Sequence, residues 1–147
     1  MSPPAVRFRY ERRASAVFGA IRRPVALAHL YSPPLHRWIG YTMVVDTGAD
    51  YCVLPASVAV DLGIALGACE PQSSSGIGGP QKVFFYRTAR MRLGPWELRV
   101  PVGFVDREDL PPLLGRFRCL DRFDLRLRES VTTFSALPHG PPSRTTP

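Results

Sequence analysis

Apolar and polar residues alternate with a period of two through a long stretch in the second half of the chain. A period of two is typical of strands that bury one face, because successive side chains point to opposite sides. Gly94 and Pro95 interrupt the alternation and favour a turn. The pattern predicts a β-hairpin over residues 82–105, with buried positions at Val83, Phe85, Ala89, Met91, Leu93, Trp96, Leu98, Val100, Val102 and Phe104.

The rest of the chain is divided by 16 prolines and 12 glycines, a composition that is unfavourable for long helices. Glycine directly after a short apolar segment is a common helix stop. Short apolar segments predict strands at 5–10, 24–31 and 38–45, and short helices at 56–62, before Gly63, and at 116–123. The chain is therefore predicted to be mostly β, with one or two short helices.

The length of 147 residues suits a single domain. No apolar run approaches the roughly 18 residues that a membrane-spanning helix needs. The apolar segment 14–21 is short and is followed by Arg22 and Arg23, so we predict neither a secretory signal nor a membrane partner. Proline is frequent in residues 138–147, which predicts a disordered end.

Charge and cysteine content limit the chemistry. Lys and Arg outnumber Asp and Glu by 19 to 12, for a net charge of +7. A basic domain suggests nucleic-acid binding, but the arginines are scattered, and a solvated surface is the simpler interpretation. Cys52, Cys69 and Cys119 form no C-x-x-C pair, which disfavours a disulfide scaffold or a cysteine metal site. We expect packed thiols, no metal, no cofactor and a reducing compartment, most simply the cytoplasm.

The strongest chemical signal is the segment VVDTGADYCVLP at residues 44–55. An apolar strand runs directly into Asp46, and burial of a carboxylate there is costly unless hydrogen-bond donors surround it. Gly48 allows a tight turn in which backbone N–H groups point back at that carboxylate. Asp, Thr and Gly are also common in ordinary β-turns, so the triplet alone leaves both interpretations open.

Three separated blocks together resemble the retroviral-type aspartic proteases, or retropepsins, and indicate a bacterial-type single-domain member. The first block is the loop at 44–55. The second, GIGGPQKV at 76–83, is similar to the glycine-rich flap of that family, and the third is LLGR at 113–116. The resemblance implies a closed acid-protease β-barrel with one lobe per chain.

The same resemblance implies a division of the chain. The protease domain would occupy residues 24–130. Residues 1–23 would form an N-terminal extension or an added strand. Residues 131–147 would form a C-terminal tail that is disordered at its end.

The function that the resemblance implies is an aspartic endopeptidase, in which two carboxylates share one proton and activate a water. The chain has one D-T-G triplet, so the second carboxylate must come from Asp46 of a second copy across a two-fold axis. We therefore expect a homodimer with a polypeptide substrate. Thr47 would bond across the axis, and Gly48 would leave room for substrate.

The resemblance also assigns the residues around the catalytic loop. Arg116 would pair with Asp50 and fix the loop beside Gly115, although it could also be one more surface arginine. Substrate would contact Ala49, Asp50, Gly76, Ile77, Gly78 and Leu113. Apolar walls at Ile77, Leu113, Val53 and Leu54 would favour apolar side chains flanking the cut.

Two other functions remain open at this point. A retropepsin fold could serve as a dimerisation or peptide-binding module with little turnover, but the intact D-T-G-A-D segment and complete flap favour the enzyme. A basic nucleic-acid-binding β domain is a more distant third alternative.

Overall fold

The computed structural model describes residues 4–76, 79–138 and 143–144. The strands are β1 Ala5–Arg9, β2 Glu11–Ser15, β3 Gly19–Arg23, β4 Val25–Ser32, β5 Arg37–Val45, β6 Cys52–Pro55, β7 Glu70–Gly76, β8 Gly79–Leu93, β9 Trp96–Val105, β10 Leu113–Leu114, β11 Phe123–Arg128, β12 Val131–Ala136 and β13 Ser143–Arg144. One α-helix, α1 at Ala56–Leu62, is found in these ranges, with 3-10 helices at Leu66–Ala68 and Leu120–Arg122. The predicted mostly β class is confirmed.

Most strands belong to one eight-stranded sheet in the order β13-β9-β6-β10-β5-β4-β8-β7. Strand β8 also pairs with β9, so two strands that are far apart in this order are neighbours as well. The long arms β8 and β9 confirm the predicted hairpin, and their turn contains Gly94 at a φ of 55°. Trp96, Val100 and Phe104 are fully buried on its inner face.

Helix α1 has the predicted bounds and ends for the predicted reason. Gly63 adopts a left-handed conformation at a φ of 68° and donates its N–H to the Val60 carbonyl. That conformation favours glycine because it has no Cβ. The helix buries Val58, Ala59 and Leu62 against the sheet core. No helix in the described ranges is long and apolar enough to cross a membrane.

The helix expected at 116–123 is not formed, and this prediction is wrong. Arg118 has a φ of 56°, which an α-helix cannot contain. A three-residue 3-10 helix follows at Leu120–Arg122, and Phe123 already begins β11. Phe123 packs its buried ring on Trp96 at 5.1 Å, so tertiary packing continues the chain as a strand.

Strand β1 forms a separate three-stranded sheet with two strands from the last quarter of the chain, in the order β1-β12-β11. Strand β1 pairs along its whole length with β12, and Phe8 meets the fully buried Phe134 at 5.9 Å. The predicted tail from residue 131 thus begins with a sheet strand. Strand β13 pairs with β9, while residues 139–142 and 145–147 of the predicted disordered end lie outside the described residues.

Candidate active site

The D-T-G loop begins where a strand in the middle of the eight-stranded sheet ends. Strand β5 has the short strand β10 beside it in parallel, with Leu114 opposite Val45. Leu113 of the same strand is also paired with Val53 of β6. Val45 and Leu114 are buried. The apolar run therefore fixes the backbone up to Asp46, the first residue beyond the strand.

Asp46 is held by bonds to β10 and within its own loop. Its N–H donates to the Leu114 carbonyl at 3.0 Å, and its carbonyl accepts from the Ala49 N–H at 3.1 Å. The Gly48 N–H donates to the carboxylate oxygen Oδ1 at 3.0 Å. The carboxylate is half-buried. A backbone donor thus points at the carboxylate, as the sequence predicted for this turn.

The chain after β10 fastens the far side of this loop. The N–H groups of Arg116 and Phe117 donate to the carbonyls of Ala49 and Asp50 at 3.0 and 2.8 Å. The Arg116 guanidinium also donates to the Asp50 carboxylate at 2.5 Å. Two backbone bonds and one ion pair therefore connect Ala49 and Asp50 with Arg116 and Phe117.

Gly115 is required by this close approach. It is buried, and a Cβ built on it would overlap the backbone carbonyl of Tyr51. Backbone cannot move aside as a flexible side chain can. The glycine therefore lets two loop segments pack directly against each other.

The predicted site residues still to be placed are two in the D-T-G loop and those of the flap segment. Thr47 and Gly48 are exposed. Gly76 ends β7 and pairs with Gly79, the first residue of β8, so the flap segment is a hairpin. Ile77 and Gly78 lie outside the described residues. The substrate and catalytic roles of all these residues stay predictions.

Sequence reasoning missed an aromatic cavity beside the loop. Tyr51 and Phe85 meet edge to face at 4.8 Å, and Phe117 is 53% exposed next to them. The cavity has a volume of about 210 Å³ and is lined by Tyr51, Glu70, Phe85, Arg87, Pro101 and Phe117. Leu54, expected to line a substrate pocket, is fully buried in the core. The available signal was that Tyr51 and Phe117 each directly follow a predicted site residue.

Two thiols lie behind the loop. Cys52 and Cys119 are buried and free, and the Gly115 N–H points at the Cys52 sulfur at 3.5 Å. A hydrogen bond with Cys52 and burial raise the pKa of Cys119 well above its ordinary value. A protonated, enclosed thiol is a packing group rather than a nucleophile.

The comparisons with known proteins agree with this geometry. The chain belongs to the aspartyl protease family, whose model matches residues 40–116, more than half of the chain. It resembles the crystal structure of a retropepsin-like aspartic protease from Rickettsia conorii with a TM-score of 0.61 and 18% identity, over 90% of this chain and 99% of that chain. The fold is therefore retropepsin-like. No curated protein matches the sequence.

A second solved structure is EIAV protease complexed with the inhibitor HBY-793. It has a TM-score of 0.49 and 18% identity, over 64% of this chain and 82% of that chain.

Proposed function

We propose that this chain is an aspartic endopeptidase whose active site forms between two copies, each contributing Asp46. The observation that carries the proposal is the Asp46 carboxylate at the end of a buried strand, accepting the Gly48 N–H in a loop fastened by Arg116. The membership of the aspartyl protease family supports it.

The chemistry requires a second carboxylate. At a separation of about 3 Å two carboxylates cannot both ionise, so they share a proton. The ionised group takes a proton from the attacking water, and the protonated group polarises the scissile carbonyl. The chain offers a single D-T-G triplet, and its exposed Thr47 and Gly48 are available to face a partner's loop.

Each neighbouring residue has a physical reason for its proposed role. Thr47 would bond to the partner's loop, and Gly48 would leave space for the substrate backbone. Asp50, held by Arg116, would accept N–H groups of an extended peptide. Gly115 would support this ion pair, because it lets the segment before Arg116 pack against the Tyr51 backbone.

The proposed substrate is an extended polypeptide lying between the loop and the flap hairpin. Contacts would come from Ala49, Asp50, Leu113 and the flap residues Gly76, Ile77 and Gly78. The aromatic cavity beside the loop would take an apolar side chain of that peptide, because its ring faces provide apolar surface. Catalysis needs no cofactor in this mechanism, and the free thiols fit a reducing compartment such as the cytoplasm.

The first test is the variant Asp46→Asn. Its matched control is Asp124→Asn, because Asp124 is an exposed carboxylate on β11. Asn has nearly the same shape but cannot share a proton. We expect cleavage of a degenerate peptide library to fall by about 10³-fold or more in the first variant and to be unchanged in the second. Comparable turnover by Asp46→Asn would exclude Asp46 as the catalytic carboxylate. Peptide binding by the wild-type chain without turnover would instead favour the peptide-binding module.

The second test measures whether the site is shared. Wild-type chain is mixed with an equal amount of Asp46→Asn chain and allowed to exchange subunits. Because half of the wild-type chains would then have an inactive partner, activity should fall to about half. Unchanged activity, together with sedimentation of the active chain as a monomer, would exclude the shared site.

A further inference from the structure

An exposed hairpin near the N-terminus has no part in the proposed active site. It consists of β2 and β3, which pair only with each other among the described strands. The Val17 and Phe18 N–H groups donate to the Ser15 hydroxyl at 3.3 and 3.1 Å, and Gly19 takes a φ of 74°. These contacts define the turn at the tip of the hairpin.

The tip holds two large apolar side chains in water. Val17 is 80% exposed and Phe18 is 77% exposed. Burial of such side chains is ordinarily favourable, and here a defined turn presents them outward. Two adjacent apolar side chains at the tip of a hairpin form an exposed apolar patch, and such patches mark contact surfaces more often than single exposed residues do.

The arms of the hairpin carry paired arginines around an uncharged tip. The sequence reads RRASAVFGAIRR from residue 12 to residue 23. The strand register places Arg12 directly opposite Arg22, and Arg13 opposite Ile21. Like charges directly opposite each other destabilise a strand pair. Glu11 lies opposite Arg23 and pairs with Arg13 at 3.6 Å, so the repulsion that an anionic partner would remove is that between Arg12 and Arg22.

Along the hairpin, an apolar layer at the tip is followed by a basic layer of arginines. Residues 14–21 contain no charge, and Ile21 adds a third exposed apolar side chain. Because a strand rises about 3.3 Å per residue, the Arg12 and Arg22 pair lies about 10 Å behind Ser15 and Gly19, the last paired residues before the tip. An anionic bilayer has the matching order, with hydrocarbon beneath a layer of phosphates.

We infer that the β2–β3 hairpin docks on the surface of an anionic phospholipid bilayer, with Val17 and Phe18 inserted and the arginines among the headgroups. A second copy fits less well, because two hairpins tip to tip would bring eight arginines together. Nucleic acid would use the arginines but leave the apolar tip without a partner. The inference is independent of the proposed protease activity.

This inference departs from the sequence prediction of no membrane partner. That prediction rested on the lack of a spanning segment, and a hairpin that lies on a surface needs none. The segment 14–21, which is too short for a secretory signal, forms the tip of the hairpin and the uncharged ends of its two arms.

The experiment measures binding of the full chain to phosphatidylcholine vesicles with and without phosphatidylserine. We expect binding only to the anionic vesicles, weakened by salt. The double variant Val17→Ser with Phe18→Ser should weaken binding by about tenfold or more. Its control, Val60→Ser, removes an apolar side chain that is also 77% exposed, and should leave binding unchanged.

The charge is tested separately. Arg12→Gln with Arg22→Gln should weaken binding by about tenfold or more. The control, Arg99→Gln with Arg122→Gln, removes the same net charge from exposed positions elsewhere and should change it less than about twofold. Circular dichroism checks that all variants are folded.

Three results would overturn the inference. One is equal binding to neutral and anionic vesicles, or none to either. Another is full binding by the serine double variant, which would show that the net charge of +7 alone causes the binding. The third is a tip variant that changes only the sedimentation of the chain or its retention on DNA, which would assign the hairpin to a second copy or to nucleic acid.

Discussion

At the scale of single residues, the site depends on one glycine that has no room for a side chain. Gly115 lies against the Tyr51 backbone, where a Cβ would overlap the carbonyl. The same two segments are joined by the Arg116 and Phe117 backbone bonds. A methyl group at this position would therefore separate the loop from the strand that supports it.

We predict that Gly115→Ala destabilises the chain by about 3 kcal/mol, at the upper end of overpacking costs. The matched control is Gly67→Ala, because Gly67 has nothing within 4 Å of a built Cβ. Urea denaturation measures both. Equal stability of the two variants would show that the Tyr51 segment moves aside freely.

The ion pair of Arg116 with Asp50 allows stability and activity to be separated. Both side chains are largely exposed, at 47% and 80%, and exposed pairs contribute little to stability. We predict that Arg116→Gln changes the free energy of unfolding by less than about 1 kcal/mol but lowers kcat/KM by about tenfold or more. The loop keeps its backbone bonds but loses the group that orients Asp50.

The control for this variant is Arg107→Gln, because Arg107 makes a similar exposed pair with Asp109 away from the loop. It should match Arg116→Gln in stability and keep wild-type kcat/KM. Equal activity of the two variants would show that Arg116 is an ordinary surface arginine with no role in the site.

At the scale of elements, the flap hairpin is the segment expected to move. Strands β7 and β8 pair from Glu70 opposite Phe85 to Gly76 opposite Gly79. Gly79 has a φ of 91° and open space around it. An alanine there meets no steric contact and suffers only backbone strain.

We predict that Gly79→Ala and Gly19→Ala destabilise the chain by similar amounts, about 1 kcal/mol. Gly19 is the matched control because its φ is 74° and it also has open space. Only Gly79→Ala should lower kcat/KM, since closure over substrate uses the flap. A change in kcat/KM of the same size in both variants would show that closure of the β7–β8 hairpin does not contribute to catalysis.

Elements with a strong local signal were predictable, and elements without such a signal were not. The alternation in β8 and β9 is visible in consecutive residues. The end of α1 is visible in the same way, because Gly63 directly follows the helix. Strand β2 carries no alternation, and its pairing rests on a turn set by the Ser15 hydroxyl. Strand β12 lies in a local hairpin with β11 and also pairs with β1, more than a hundred residues away in the chain, and a local pattern does not show such distant pairing.

The site was predictable to a similar extent. The residues joined around Asp46 lie mainly in two short blocks of recognisable sequence, 44–55 and 113–116, so their proximity could be inferred. The aromatic cavity could not, because the face on which Tyr51, Phe85 and Phe117 meet is decided by the packing of β6, β8 and the turn after β10. A local pattern does not contain that information.

At the scale of the whole molecule, one copy provides half of the proposed reaction centre. Two Asp46 carboxylates across a two-fold axis would share one proton, because two like charges about 3 Å apart cannot both be present. The active form has one proton on the pair.

We predict a bell-shaped dependence of kcat/KM on pH with an acidic optimum. Activity falls on the acid side because both carboxylates become protonated and none can accept a proton from water. It falls on the alkaline side because both ionise and none can polarise the carbonyl. The measurement is kcat/KM on one cleavable peptide from about pH 3 to about pH 8, with Asp124→Asn as a control that keeps the bell. A single limb that rises to an alkaline plateau would indicate a histidine or thiol base, and would exclude the aspartic mechanism while leaving the retropepsin-like fold intact.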